Sequence, residues 1–414
     1  MKKMEEYESC TLPNGIRIVH KQVTHTQVAH CGFMLDVGSR DEEPNQMGIA
    51  HFWEHMAFKG TKKRKSFHIL NRLESVGGEL NAYTTKEKIC FHASVLDKHF
   101  EKAVELLADI TFESVFPEKQ IEKERSVILE EMAMYYDSPE DAIQDDFDDV
   151  LFEGHPLGYN ILGTNESVRA FRKADFLKFI AENLNTARVV FSSVGNLPFK
   201  KVEEIARRYL ADISAHSAQK QRLPFQNYLP KQRRVLRSVS QAHCAIGRTA
   251  YPLNDERRLP FFMLINLLGG PAMNSRLNLA LREKYGFVYA VEANYTPYVD
   301  TGFMAVYFAT EKKQLTKSIA LVMRELRLLR EVPLGRMQLH TLKEQLMGQL
   351  AMSEESNLNF MLMMAKSILD MNRIDNLDEI FASVRQITAR ELQDLANEMF
   401  DERQLSLLTF VPEE

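Results

Sequence analysis

Residues 51–55 read His51-Phe52-Trp53-Glu54-His55, inside a segment whose apolar spacing is that of a helix. On a helix, side chains four apart lie one above the other on the same face, so both imidazoles can reach a single metal ion. Glu54 follows His51 by three residues and is turned about a third of a revolution from His55. It can lean over the open position of the metal without ligating it. Two neutral ring nitrogens on zinc beside a free carboxylate form the arrangement that turns bound water into a nucleophile at neutral pH. The plain alternative is two histidines on a half-buried helix, hydrogen-bonded to backbone. A third ligand decides between the two.

Downstream, Ile121-Glu122-Lys123-Glu124-Arg125-Ser126-Val127-Ile128-Leu129-Glu130-Glu131-Met132 carries helical spacing, and no Pro or Gly interrupts it from Lys119 to Tyr136. Glu124 and Glu131 are two turns apart and share a face with Val127 and Ile128, which marks that face as buried. Carboxylates on an inward face are costly unless paired or bound to a cation. Arg125 points elsewhere on the wheel, so metal ligation accounts for the pair better than a salt bridge. Glu122 and Glu130 read as solvated charges.

With these residues in place the chain resembles the pitrilysin, insulinase and mitochondrial processing peptidase family, whose His-x-x-Glu-His order is the reverse of His-Glu-x-x-His. The resemblance extends through Met47-Gly48-Ile49-Ala50, Phe58-Lys59-Gly60-Thr61, Gly77–Thr85, His155-Pro156-Leu157-Gly158, Leu268–Leu277 and Arg282–Tyr289, nearly the whole chain. It implies that His51, His55 and Glu131 bind one zinc ion per chain, that Glu54 is the general base, and that Glu124 is a supporting acid. It also implies that Asn81 and Ala82 hold an extended peptide substrate. Arg282 and Tyr289, by the same resemblance, contact substrate in a closed chamber and steady the tetrahedral intermediate. In two-chain relatives the zinc unit of one chain faces the second unit of the other, so a homodimer with its sites completed in trans is expected.

The 414 residues suffice for two or three domains. A net charge of −5 without a basic stripe argues against nucleic acid as a partner. Lys62-Lys63-Arg64-Lys65 reads as a solvated loop, and Asp145-Asp146-Phe147-Asp148-Asp149 as a solvated helix face rather than a lining for basic peptides. Four cysteines without metal-type spacing suit a reducing compartment. The start Met1–Glu8 lacks the apolar run of a signal peptide and no stretch approaches a membrane span, so a cytoplasmic location is expected.

The chain reads as one unit written twice. Val28-Ala29-His30-Cys31 is echoed by Gln241-Ala242-His243-Cys244, and Asp41-Glu42 by Asp255-Glu256. Strands are expected over 15–21, 29–37, 79–85 and 88–96, with the polar 84–88 as a hairpin turn. Helices are expected over 98–112, 119–136, 166–182 and 199–209. The fold class is α+β: two tandem homologous units, each a mixed sheet flanked by a layer of helices. The expected boundaries are a catalytic unit at 1–215, a linker at 216–232 and a metal-free unit at 233–414. In the second unit Phe261–Leu268 takes the place of the motif and offers no ligand side chain beyond Asn266.

The expected activity is zinc-dependent hydrolysis of oligopeptides or unfolded segments. Two other readings compete with it: a non-catalytic scaffold subunit of the same fold, which would not need the complete ligand set, and a thioether lyase sharing the motif on a far shorter chain.

Overall fold

The computed structural model describes residues 7–218 and 221–413; Met1–Glu6, most of the start read as no signal peptide, lies outside them. The front half runs β1 (Glu8–Thr11), β2 (Arg17–Gln22), β3 (Val28–Leu35), α1 (Ile49–Ala57), α2 (Ser66–Glu74), β4 (Glu79–Thr84), β5 (Ile89–Leu96), α3 (Phe100–Phe112), α4 (Glu118–Asp137), α5 (Pro139–Leu151), α6 (Asn165–Ala170), α7 (Lys173–Asn183), β6 (Val189–Gly195) and α8 (Phe199–Leu210). The back half runs β7 (Gln232–Arg237), β8 (Ala242–Ala250), α9 (Arg258–Gly269), β9 (Val288–Pro297), β10 (Gly302–Thr310), α10 (Leu315–Glu331), α11 (Arg336–Glu354), α12 (Asn357–Met371), α13 (Leu377–Gln386), α14 (Ala389–Met399) and β11 (Ser406–Pro412).

The first sheet has the order β1-β2-β6-β3-β5-β4 and the second β7-β11-β8-β10-β9. In each, the closing strand inserts parallel to one neighbour (β6 beside β2, β11 beside β7) and antiparallel to the other. Apart from the additional strand β1, the same order is therefore built twice, and β4 and β9 are the matching edge strands. The fold class is α+β with a mixed, helix-flanked sheet in each repeat.

Strand side chains alternate between faces. In the first sheet Ala29, Cys31, Phe33 and Leu35 of β3 join the core formed with α1, α3 and α7. Met34, Cys90, Val190 and Val194 look the other way and are covered by Phe360, Met361, Met364, Ala365 and Ile368 of α12. The second sheet is covered on its far face by Ala142, Ile143, Phe147, Val150 and Leu151 of α5.

Each sheet is thus apolar on both faces, and each borrows one covering helix from the other half of the chain. The compact units are consequently interleaved: residues 1–132, 159–222 and 352–376 form one, and 133–158, 223–351 and 377–414 the other. They do not coincide with the sequential boundaries at 215 and 233.

Some local expectations differ from the structure. The helix expected over 166–182 is two helices, α6 and α7, because Phe171 is extended (φ −58°, ψ 136°). Arg125 holds that break by donating to the carbonyls of Val168 (3.0 Å) and Phe171 (2.6 Å).

The polar turn between β4 and β5 is largely buried. Lys88 meets Asp36 and Asp370 at 2.8 Å each, and Glu87 meets Arg40 at 2.6 Å. Buried charges persist where they are paired in this way. Nor is the basic run at 62–65 simply a solvated loop: Arg64 pairs with Glu105 and Asp109, and Thr61 donates to Asp109 at 2.9 Å.

Among the described residues no helix is long and apolar enough to cross a membrane. Cys31, Cys90 and Cys244 are buried free thiols and Cys10 is half-buried.

Candidate metal centre

Packing of the residues between the histidines sets the rotation of α1. Phe52 stands edge-on to Phe176 at 5.1 Å and Trp53 packs on Phe91 and Phe179, all in the core. With that side committed, His51, Glu54 and His55 share the remaining face. The start of the helix is held from several directions. Glu42 accepts hydrogen bonds from the amides of Gly48 and Ala50, both at 2.9 Å, and Ser167 donates to the Met47 carbonyl at 2.6 Å. Gly163 (φ +82°) lies so close that a Cβ there would come within 2.2 Å of the Met47 oxygen, so only glycine fits.

Helix α4 packs through a narrow seam of Ile121, Glu124 and Ile128. Val127, expected on the buried face, is 49% exposed. It lies 100° around the helix from Ile128, and a seam this narrow cannot bury both. Glu131, three residues beyond Ile128, is half-buried and faces α1.

The two helices bring His51, His55 and Glu131 together with one potential ligand atom from each within 4.8 Å of the others. Nε2 of His51 is 3.8 Å from Glu131 Oε1, and Nε2 of His55 is 3.4 Å from Glu131 Oε2. Nδ1 of His55 instead meets Glu124 Oε1 at 3.0 Å, while Glu124 Oε2 binds Lys59 Nζ at 2.7 Å. Thr84, at the end of β4, donates from Oγ1 to Glu54 Oε2 at 2.6 Å.

The electrostatics follow from this layout. Burial and the neighbouring His55 lower the pKa of His51 to about 4, against the pull of Glu131. Burial alone would lower His55 too, but the carboxylates of Glu124 and Glu131 raise it to about 9. Burial raises Glu54, with Thr84 opposing. Glu124 stays below the ordinary carboxylate range, because His55 and Lys59 outweigh its burial.

Two imidazoles and a carboxylate, with a carboxylate behind one ring, fit a borderline dication such as zinc. Because Glu124 takes Nδ1 of His55, it is Nε2 that faces the carboxylate of Glu131. Nδ1 of His51 is buried without a hydrogen-bond partner, so that ring's polar engagement is also through Nε2.

The other predicted residues fall as follows. Asn81 and Ala82 lie on the edge strand β4; Ala82 leans on the helix-side core and Asn81 is exposed on the opposite face. Arg282 and Tyr289 belong to the second unit, Arg282 on a π-helical turn (Asn278–Glu283) and Tyr289 on edge strand β9. The guanidinium is 5.8 Å from the Tyr289 ring, which is 88% exposed. Both line a cavity of about 1040 Å³ along β9. In α9 the buried Asn266 donates to Gln349 at 2.7 Å. His51, His55 and Glu131 are the one such cluster among the described residues.

Residues 17–165 match the family described as insulinase (peptidase family M16), and residues 170–346 match the one described as peptidase M16 inactive domain. The chain is 33% identical over 395 residues to an uncharacterized zinc protease of Bacillus subtilis, YmxG, covering 95% of each sequence. This chain belongs to peptidase family M16. An uncharacterized zinc protease from Rickettsia bellii is 30% identical, with 96% of this chain and 95% of that protein covered. Among solved structures, a protease from Helicobacter pylori superposes with a TM-score of 0.91 at 20% identity, over 99% of this chain and 100% of that one. A peptidase M16 inactive domain from Pseudomonas fluorescens gives the same TM-score at 17% identity, over 99% of both chains. At those identities the likeness is one of fold.

The sequence places Glu42, Lys59 and Thr84 in repeated or matched stretches but gives none of them a role. The signal for Thr84 was parity: it shares the strand face of Ala82. Lys59 carries no metal-type signature, and its role emerges only from its contact with Glu124.

Proposed function

We propose that this M16 chain is a zinc endopeptidase acting on oligopeptides or unfolded segments, with one zinc per chain held by His51, His55 and Glu131. The convergence of those three side chains carries the reading. Bound zinc supplies Lewis-acid polarisation of a carbonyl and acidification of water. Glu54 takes the proton of the attacking water on Oε1, the oxygen Thr84 leaves free, and delivers it to the departing amine. Glu124 accepts from His55 Nδ1 and keeps that ring turned, as outer carboxylates do for ligating histidines.

The free edge of β4 lets an extended peptide add as a further strand, with Asn81 and Ala82 beside it. Arg282 and Tyr289, a cation and a phenolic donor, suit a developing oxyanion. Their exposure within their own unit supports a homodimer in which the second copy supplies them in an enclosed space. A cytoplasmic setting is consistent with four unpaired cysteines. A scaffold role without catalysis would leave the complete ligand cluster and the Thr84–Glu54 contact unexplained.

Digestion of a peptide library by the purified chain, read by mass spectrometry, tests the proposal. Internal cleavages that vanish with a chelator and return with zinc are expected; an intact library at every zinc level defeats it.

A further inference from the structure

Strand β4 does more than offer an edge. Its side chains alternate, so Leu80, Ala82 and Thr84 share the side that leans on the helix layer, while Glu79, Asn81 and Tyr83 take the other. At the end of that inner row, the Thr84 hydroxyl reaches Glu54 Oε2 at 2.6 Å. It is the one side-chain hydrogen bond that Glu54 makes among the described residues. Without it, the carboxylate would swing on a flexible stem inside a half-enclosed site.

Thr84 is well suited to act as a fixed post. A β-branched side chain has few χ1 choices, so the strand backbone dictates where the hydroxyl points. That backbone is itself held. Thr84 pairs with Ile89 in β5, and the turn that follows is pinned by the amides of Ser39 and Arg40, which donate to the carbonyls of Thr85 (3.2 Å) and Lys86 (2.7 Å). The buried Lys88 pairs with Asp36 and Asp370 lie in the same turn.

We propose that Thr84 is a positioning residue for Glu54: it fixes Oε2 and thereby presents Oε1 as the proton-carrying atom. It stands on the strand along which the substrate backbone would add, so base and substrate are referenced to one rigid element. The inference rests on the peptidase reading for its kinetic consequence, but not for its structural one.

The nearly isosteric Thr84→Val variant tests it, with Thr84→Ser as the conservative control. Misplacing a catalytic group by an ångström costs on the order of 10²-fold. Thr84→Val is therefore expected to lose about 10–100-fold in kcat, with KM within about two-fold and zinc content unchanged, the pattern of an interaction needed for the chemical step rather than for binding. Thr84→Ser is expected to restore kcat to within about three-fold of wild type. Crystals of Thr84→Val should show the Glu54 carboxylate displaced or in several rotamers.

A Thr84→Val enzyme with wild-type kcat, a Thr84→Ser enzyme as slow as it, or loss of zinc from Thr84→Val overturns the proposal. So does a Glu54 carboxylate that stays in place in the Thr84→Val crystal. If the wild-type chain cleaves no peptide, the hydrolase reading falls, and the Glu54 orientation alone decides the role of Thr84.

Discussion

Glu124 Oε1 accepts a hydrogen bond from His55 Nδ1 at 3.0 Å while its other oxygen holds Lys59 at 2.7 Å. The carboxylate therefore leaves Nε2 as the ring nitrogen that would take the proposed metal. Outer-sphere carboxylates of this kind typically contribute about 10–100-fold to metal affinity. Glu124→Gln should weaken zinc binding by that factor in chelator competition, and because it also breaks the buried contacts to His55 and Lys59 it should lower the melting temperature of the apo-protein. Unchanged affinity would remove Glu124 from the site.

In the proposed mechanism Glu54 moves a proton and does not bind metal. Glu54→Gln should keep its zinc and fold and lose at least roughly 10²-fold in turnover, the low end for a general base. Steady-state cleavage of a quenched peptide, with zinc measured on the same sample, is the check. Near-wild-type turnover would exclude Glu54 as the base.

The buried charges around Lys88 tie α12 to the first sheet. Removing one partner of a buried pair leaves the other uncompensated, at a cost of about 3–5 kcal/mol. Asp36 keeps Arg188 and Arg222, and Asp370 keeps Lys366, so Lys88→Met should fall near the lower end, about 3 kcal/mol. Urea unfolding measures it. A variant as stable as wild type would show that α12 is held by its apolar face alone.

His20 is buried between Ser193 Oγ and the Leu197 carbonyl, both at 2.8 Å. Burial lowers its pKa in the folded chain below that of a free histidine, against those two hydrogen bonds. The unfolded chain thus takes up a proton first. The His20 contribution to stability is complete above the unfolded pKa of about 6.5 and is lost as pH falls through the folded one. Comparing unfolding of wild type and His20→Gln from pH 7.5 to 5 should show the wild type losing the larger share. Parallel pH profiles would contradict this.

What the sequence revealed was periodic or local. The spacing of His51, His55, Glu124 and Glu131 holds on any straight helix, and the strands around Cys31 and Cys244 repeat because both halves build the same sheet order. What it hid depended on partners distant in the chain. Nothing in α5 or α12 says which sheet its apolar face covers, and that choice interleaves the two units. Lys88 reads as a turn lysine until Asp36 and Asp370 arrive beside it. The break at Phe171 has no Gly or Pro to announce it, since Arg125, 46 residues earlier, holds it. Val127 is exposed despite its apolar side chain because its neighbour Ile128 already fills the α4 seam.

In the proposed site, two imidazoles of α1 and one carboxylate of α4 share a single ion. Anomalous diffraction at the zinc absorption edge, on crystals of the chain purified with zinc, tests it most directly. One peak per chain, bonded to His51 Nε2, His55 Nε2 and an oxygen of Glu131, is the predicted result. Zinc found elsewhere, or a His51–His55–Glu131 cluster that stays free of it under saturating metal, would contradict the claim.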